Sequence, residues 1–176
     1  MRVCSSAQFD SLPDLIGNVA FMGAPTVSHE LLPNGDECSN ALKMIENYLS
    51  KPISAVFSSE IGGANGLMGL IVAAQRQIPC VDCDGLGRAF PCLNHFLAFI
   101  RGASVTPTAL CDVRGDCFLC TQNLVRTPKE LEDLFRVECM KRGLSVGISF
   151  PSITGAELKK YSLLNSISRA WFLGES

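Results

Sequence analysis

A chain of 176 residues, 47% of them apolar, is long enough to bury the core of one domain. Its net charge of -2, without any cluster of Lys or Arg, argues against a nucleic-acid partner and against intrinsic disorder. Residues 1–14 lack the basic start and apolar core of a signal peptide, and no apolar run reaches the roughly 20 residues that span a bilayer. We therefore expect a cytoplasmic protein with a single domain over residues 1–176 and no membrane contact.

Apolar runs that are typical of buried strands alternate with amphipathic segments along the chain. The strand pattern occurs at residues 19–22, 53–58, 78–83 and 144–150, and the helix pattern occurs at residues 36–49 and 66–77. Strand-compatible residues on both sides of Arg114-Gly115 predict a β-hairpin. This order predicts an α/β fold, in which helices cover a mostly parallel sheet that also includes the hairpin.

Two further helix starts are marked by capping boxes, in which a Thr is followed three residues later by a Glu. Thr127 precedes Pro128 and Glu130, and proline is favoured at the first position of a helix. Thr154 and Glu157 form the second box. We expect helices to begin directly after Thr127 and Thr154, and the first of them to end at residues 142–143.

Three carboxylates and an arginine lie beside two glycine-rich turns between residues 59 and 90. Glu60 ends one predicted strand, and Asp82 and Asp84 end the next. Because ligands of parallel α/β sheets bind outside the carboxyl ends of the strands, we expect these side chains at one site. Clustered carboxylates can activate water or bind a divalent metal ion, so all three are candidate catalytic residues and candidate metal ligands. The alternative for Asp84 is a structural role in the turn at Gly85.

Groups that could bind a substrate lie next to these carboxylates. Gly62, Gly63 and Asn65 precede the predicted helix at 66–77, where backbone N–H groups can bind an anion. Arg88 can bind a carboxylate or a urea-like oxygen through two N–H groups. Alternatively, the arginine forms a salt bridge with one of the aspartates, and the asparagine occupies a turn position with positive φ.

Nine cysteines are spread over the chain. Cys80 with Cys83, and Cys117 with Cys120, have the spacing of zinc ligands, but residues three apart on a strand point to opposite faces. We expect most of the cysteines to be small buried apolar side chains in a reducing compartment, and a structural zinc site is the alternative.

Five motifs link these segments: Met-Gly-Ala-Pro-Thr-Val at 22–27, Glu-Ile-Gly-Gly-Ala-Asn at 60–65, Val-Asp-Cys-Asp-Gly-Leu-Gly-Arg-Ala-Phe-Pro at 81–91, Thr-Pro-Thr-Ala-Leu at 106–110 and Thr-Gly-Ala at 154–156. Together they resemble the S-methyl thiohydantoin desulfurase family, which accompanies hydantoinase- and oxoprolinase-type proteins. The resemblance covers nearly the whole chain and adds Thr26 and Thr106 to the expected substrate-binding residues. It implies the amino-terminal α/β domain of that family, whose members carry a glycine-rich segment before the strand near Val3 and a β-rich domain beyond the position of Ser176.

The resemblance implies a hydrolase that acts on a hydantoin or thiohydantoin, which is a five-membered cyclic imide or its sulfur analogue. A carboxylate among Glu60, Asp82 and Asp84 would activate water, directly or through a divalent metal ion. Arg88, Asn65 and nearby backbone N–H groups would stabilise the charge that develops on the ring oxygen or sulfur. The alternative is a catalytically silent module that binds a small molecule or assembles with a hydantoinase-like protein.

Apolar residues near the end of the chain outnumber those that a single helix face can bury. We expect an exposed apolar patch at residues 96–100 or 170–173, and exposed patches of this kind usually mark an interface. The sequence therefore predicts a homo-oligomer or a protein partner that contacts this end.

Overall fold

The structure, a computed structural model, describes residues 3–5, 15–24, 26–27 and 30–175. Residues 6–14 and Pro25, which belong to segments discussed above, lie outside this part. Within it, eight strands form one sheet: β1 Val3–Cys4, β2 Ile16–Gly23, β3 Ala55–Ser58, β4 Cys80–Asp84, β5 Thr108–Cys111, β6 Cys117–Cys120, β7 Ser145–Ser149 and β8 Leu163–Leu164. The helices are α1 Glu37–Leu49, α2 Asn65–Arg76, α3 Leu97–Ile100, α4 Pro128–Lys141, α5 Gly155–Tyr161 and α6 Ser166–Glu175, with a 3-10 turn at Leu93–His95.

The sheet is parallel on one side and antiparallel on the other. Its order is β1-β4-β3-β2-β7-β5-β6, and β8 pairs with β4. The first four strands in this order are mutually parallel, whereas β7, β5, β6 and β8 pair in antiparallel fashion. The predicted α/β fold and the predicted hairpin, which is β5–β6, are confirmed. Strand direction beyond β2 is a detail that hydrophobic periodicity does not encode.

Each face of the sheet packs against its own layer of helices. Successive residues of a strand point to opposite faces, so Val56 packs with the α1 and α2 side chains while Phe57 packs with those of α4 and α5. Phe96, Phe99 and Phe150 form an aromatic cluster on the second face, with ring centroids 4.7–5.3 Å apart. The sheet is therefore covered by side chains of helices on both faces.

The capping boxes define two helix starts as predicted. Glu130 N donates to Thr127 Oγ1 at 3.2 Å, and the Glu130 carboxylate accepts from Thr127 N at 3.2 Å. Thr154 and Glu157 form the same reciprocal pair at the start of α5. Each pair satisfies backbone donors that the first turn of a helix leaves free, and α4 and α5 begin directly after their threonines.

The cysteines are mostly buried, as predicted. Cys80 and Cys83 belong to the cores on opposite faces of the sheet, so they cannot contact one metal ion together. Burial raises the pKa of Cys80 to about 12. Cys111 and Cys117, which lie opposite each other in the hairpin, form a disulfide that the spacing did not predict. None of the helices within residues 30–175 has both the length and the apolar composition needed to cross a membrane.

Candidate functional site

A cavity of about 760 Å³ opens at the carboxyl end of β2, beside the end of β3. One wall consists of residues 20–24, which end β2, and residues 62–65, which form the turn into α2. Side chains of α4 form the other wall, and Phe90, Pro91 and Leu93 line the space between them. This is the edge at which the sequence predicted ligand binding, because the parallel strands end there.

Glu60 is a buried carboxylate on the wall of this cavity, with 7% of its surface exposed. Ser59 N donates to Val19 O, which continues the pairing of β3 with β2 and places Glu60 just beyond the end of β3, beside the second half of β2. The carboxylate accepts hydrogen bonds from Asn65 Nδ2 at 2.6 Å and from Phe90 N at 2.8 Å. Within residues 30–175 and the shorter described segments it forms no salt bridge. Among the described residues, the hydrogen-bond donors to this carboxylate are thus neutral N–H groups.

Asn65 connects Glu60 to the end of β2. Its Oδ1 accepts from Phe21 N at 2.7 Å, and its Nδ2 donates to Phe21 O at 3.0 Å in addition to the glutamate. The amide therefore pairs with the backbone of β2 as a neighbouring strand would. Asn65 is the first residue of α2 and does not have a positive φ, so the alternative of a turn residue with positive φ is wrong. Its position on the cavity wall is consistent with the predicted role as a polar site residue.

The two glycine-rich turns contact each other. A Cβ at Gly62 would lie 2.9 Å from Ala89 N, so this close approach is possible only for glycine. The contact brings the loop after β4 against the loop after β3 and places Phe90 N at the Glu60 carboxylate. Gly63 has φ +52, which turns the chain into α2, and both glycines line the cavity.

Asp82 lies in β4 but its carboxylate is directed to α6. Oδ1 accepts from Ile167 N at 2.9 Å and from Ser168 N at 3.1 Å, and Oδ2 accepts from Ser168 Oγ at 2.5 Å. These are the free backbone donors of the first turn of α6, so Asp82 caps that helix. It does not line the cavity that contains Glu60.

Asp84 is fully buried and stabilises the turn that follows β4. Its Oδ2 accepts from Leu86 N at 3.0 Å and from Gly87 N at 2.5 Å, which is the structural alternative that the sequence allowed. Its Oδ1 is buried and makes no hydrogen bond within the described part of the chain. Like Asp82, it lies outside the cavity lining.

The three carboxylates do not form one donor set. Glu60 is bonded to the start of α2, Asp82 to the start of α6 and Asp84 to its own turn. Among the residues that the structure describes, no group of three or more His, Cys, Asp or Glu side chains is arranged to bind a metal ion. The residues present therefore do not fit the divalent metal site that the sequence admitted.

The remaining predicted contact residues, Arg88, Thr26 and Thr106, are not part of the cavity lining. Arg88 is exposed, donates from Nε to Ala89 O at 3.2 Å and, among the described residues, forms no salt bridge with either aspartate. Thr26 is exposed two residues beyond Ala24, which lines the cavity. Thr106 precedes β5, which runs in the same direction as β2. It therefore lies near the amino ends of these strands, whereas the cavity lies at the carboxyl end of β2.

Two polar residues of the cavity come from α4 and were not predicted. Glu132 accepts from Leu93 N at 2.6 Å and forms a salt bridge with Arg136. Arg136 donates to Pro91 O at 2.8 Å, and the hydrogen bond to the Glu132 carboxylate raises the pKa of its guanidinium. A Glu and an Arg four residues apart are typical of any solvated helix, so the sequence contained no signal that would have singled them out.

Comparisons with known proteins agree with this fold. Residues 1–122 match the family model described as S-Me-THD-like, N-terminal domain. The X-ray structure of a protein from Chromobacterium violaceum has a TM-score of 0.83 and 24% identity, and the match covers 99% of this chain and 49% of that one. The chain thus spans about half the length of that protein, with which it shares the fold. Comparison with curated proteins gave no match. Because the family model covers more than half of the chain, the protein belongs to the S-Me-THD-like family and contains its N-terminal domain.

Proposed function

We propose that the cavity binds a hydantoin or thiohydantoin ring and that Glu60 activates water for its hydrolysis. The observation that carries the proposal is the Glu60 carboxylate, which is buried on the cavity wall and hydrogen bonded by two N–H donors without a cation. A carboxylate in such surroundings can act as a general base. Membership of the S-Me-THD-like family supports the choice of a cyclic imide or its sulfur analogue as the substrate class.

The hydrolysis requires one water molecule and one proton carrier. Glu60 accepts a proton from water while the water oxygen adds to a ring carbon, and the electron pair of the double bond moves to the oxygen or sulfur attached to that carbon. Backbone N–H groups of residues 62–64, directly before α2, are the candidate donors to this developing charge. The double bond to that oxygen or sulfur then re-forms while the bond from the carbon to the ring nitrogen breaks, and the proton passes from Glu60 to this nitrogen.

Asn65 is the positioning residue of this proposal. Its three hydrogen bonds connect the carboxylate of Glu60 to the backbone of Phe21, so the side chain cannot rotate without breaking the contact with β2. Asp82 and Asp84 have structural roles in this proposal: Asp82 caps α6, and Asp84 stabilises the turn after β4.

The experiment compares turnover of hydantoin-type substrates by Glu60→Gln and Asp84→Asn variants, each checked for folding by circular dichroism. The glutamine keeps the size of the side chain but cannot accept a proton, so we expect turnover to fall by about 100-fold or more. The asparagine at 84 keeps an oxygen for the N–H groups of the turn, so turnover should stay near that of the unmodified chain. An unchanged rate in the Glu60 variant would overturn the proposal.

A second candidate function is binding of the same ring without turnover. It is favoured by the finding that two of the three predicted catalytic carboxylates are used in contacts of the chain itself. Calorimetry and a turnover assay on the same ligand distinguish the two functions. Saturable binding that leaves the ring intact would support the binding module, which could then serve a hydantoinase-like partner.

A further inference from the structure

A second opening, of about 610 Å³, lies between α2 and α6, and we call it the α2–α6 groove. Its lining includes Leu67 and Leu70 of α2 and Ile167, Ala170 and Trp171 of α6. The charged residue in the lining, Glu175, accepts a hydrogen bond from Trp171 Nε1 at 2.7 Å. The groove therefore offers apolar surface on both sides and has little to offer a charged ligand.

The groove adjoins the cavity of Glu60 at the glycine turn before α2. Gly62 and Gly63 line both openings, so the turn before α2 separates them by backbone alone. A Cβ at Gly63 would have no atom within 4 Å, which shows that the space above this turn is open. Gly63 therefore places no side chain between the two openings.

We propose that the α2–α6 groove binds an apolar substituent, such as a benzyl group, of the ring ligand that occupies the cavity. This inference rests on the proposed function and adds the substrate class: cyclic imides that carry an uncharged hydrocarbon group. Ligand sites combine apolar walls with a few polar groups that fix orientation, and here the two parts lie on either side of Gly62 and Gly63. The shared lining favours a part of the same ligand over a separate molecule as the occupant.

Trp171 makes the inference directly measurable. It is the only tryptophan of the chain, its side chain lines the groove, and it is 70% exposed. Binding of 5-benzylhydantoin should shift its fluorescence emission to shorter wavelength, whereas unsubstituted hydantoin should bind without this shift. Calorimetry should give an affinity for the benzyl ligand roughly tenfold or more above that for hydantoin, because binding removes the apolar surface of the benzyl group from water.

A matched pair of variants distinguishes the contribution of the groove to binding from that of other exposed residues of α6. Trp171→Ala should weaken binding of 5-benzylhydantoin by about tenfold and change binding of hydantoin by less than about twofold. Phe172→Ala is the control, because Phe172 is 71% exposed on the same helix and does not line the groove. It should leave both affinities unchanged, and this pattern would support the inference.

Three results would overturn it. Equal affinities for the two ligands, with unchanged emission, would exclude the groove and leave the proposed function intact. If neither ligand binds, the proposed function and the inference both fail. An emission shift that develops with protein concentration in the absence of ligand would mean that a second copy of the chain occupies the groove.

Discussion

Glu60 and Glu132 bind the same loop from opposite walls of the cavity. Phe90 N donates to Glu60 at 2.8 Å, and Leu93 N donates to Glu132 at 2.6 Å. Arg136 adds a third contact to this loop through Pro91 O. Because Phe90, Pro91 and Leu93 line the cavity, its shape depends on both carboxylates, and replacement of either should alter ligand binding.

Replacement of Asn65 by aspartate should move the pH dependence of turnover upwards. The new carboxylate would lie beside that of Glu60, and a neighbouring negative charge raises the pKa of a carboxyl group. Because a base is active only when deprotonated, the acid limb of the pH–rate profile should move to higher pH. Asn65→Ala is the control, since it also removes the hydrogen bond to Glu60 but adds no charge. An equal shift in both variants would contradict the electrostatic explanation.

Replacement of Asp82 by alanine should loosen α6 and leave the cavity lining in place. The variant removes the acceptor for the first-turn N–H groups of α6, and loss of such a cap costs about 1 kcal/mol. We expect a lower denaturation midpoint and faster amide exchange in residues 166–175. Ser168→Ala keeps the aspartate and its two backbone bonds, so its effect should be smaller. Equal stability of the two variants would rule out the capping role.

Two glycines of α2 should respond to alanine in opposite ways. A Cβ at Gly69 would lie 2.6 Å from Ser58 N, so the helix would have to move from β3, at a cost of about 1–3 kcal/mol. A Cβ at Gly66 would lie 3.5 Å from Ile61 Cδ1, which is an ordinary contact. Gly66→Ala should therefore be neutral or stabilise the helix by up to about 1 kcal/mol. Denaturant unfolding measures both, and destabilisation of similar size would contradict the packing argument.

The free thiols should differ widely in reactivity. Cys92 is half-buried, whereas the other six free cysteines are buried. Burial raises the pKa of Cys120 to about 11 and that of Cys80 to about 12, and the thiolate is the reactive form. Mass spectrometry after brief alkylation near pH 8 should find one modified site at Cys92, and Cys92→Ser should abolish it. Rapid modification of Cys80 in the folded chain would contradict the buried assignment.

Sequence reasoning succeeded where the determining contacts are local. The capping boxes at Thr127 and Thr154 each lie within four residues, and both helices begin as predicted. Glu60 and Asn65 lie five positions apart across one glycine turn, so their hydrogen bond is also a local contact.

It failed where a partner lies far away in the chain. Asp82 lies near the carboxyl end of a parallel strand, where catalytic residues of α/β proteins are common. Its carboxylate is instead hydrogen bonded to Ser168, which lies 86 positions later in the chain. Glu132 and Arg136 were missed for the same reason. They look like an ordinary pair on a solvated helix, and they line the cavity because α4 packs beside residues 90–93, about 40 positions earlier in the chain.

The position of β7 in the sheet determines where the chain can be truncated without loss of the fold. Ile148 pairs with Ala20 of β2 on one side and with Leu110 of β5 on the other, so β7 lies between strands that both precede residue 122. The residues that match the family model thus contain both neighbours of a strand that they do not include. A fragment that ends at residue 122 would expose unpaired backbone donors and acceptors at the centre of its sheet. The smallest unit that folds cooperatively must therefore reach at least Ser149, and shorter expression products should aggregate.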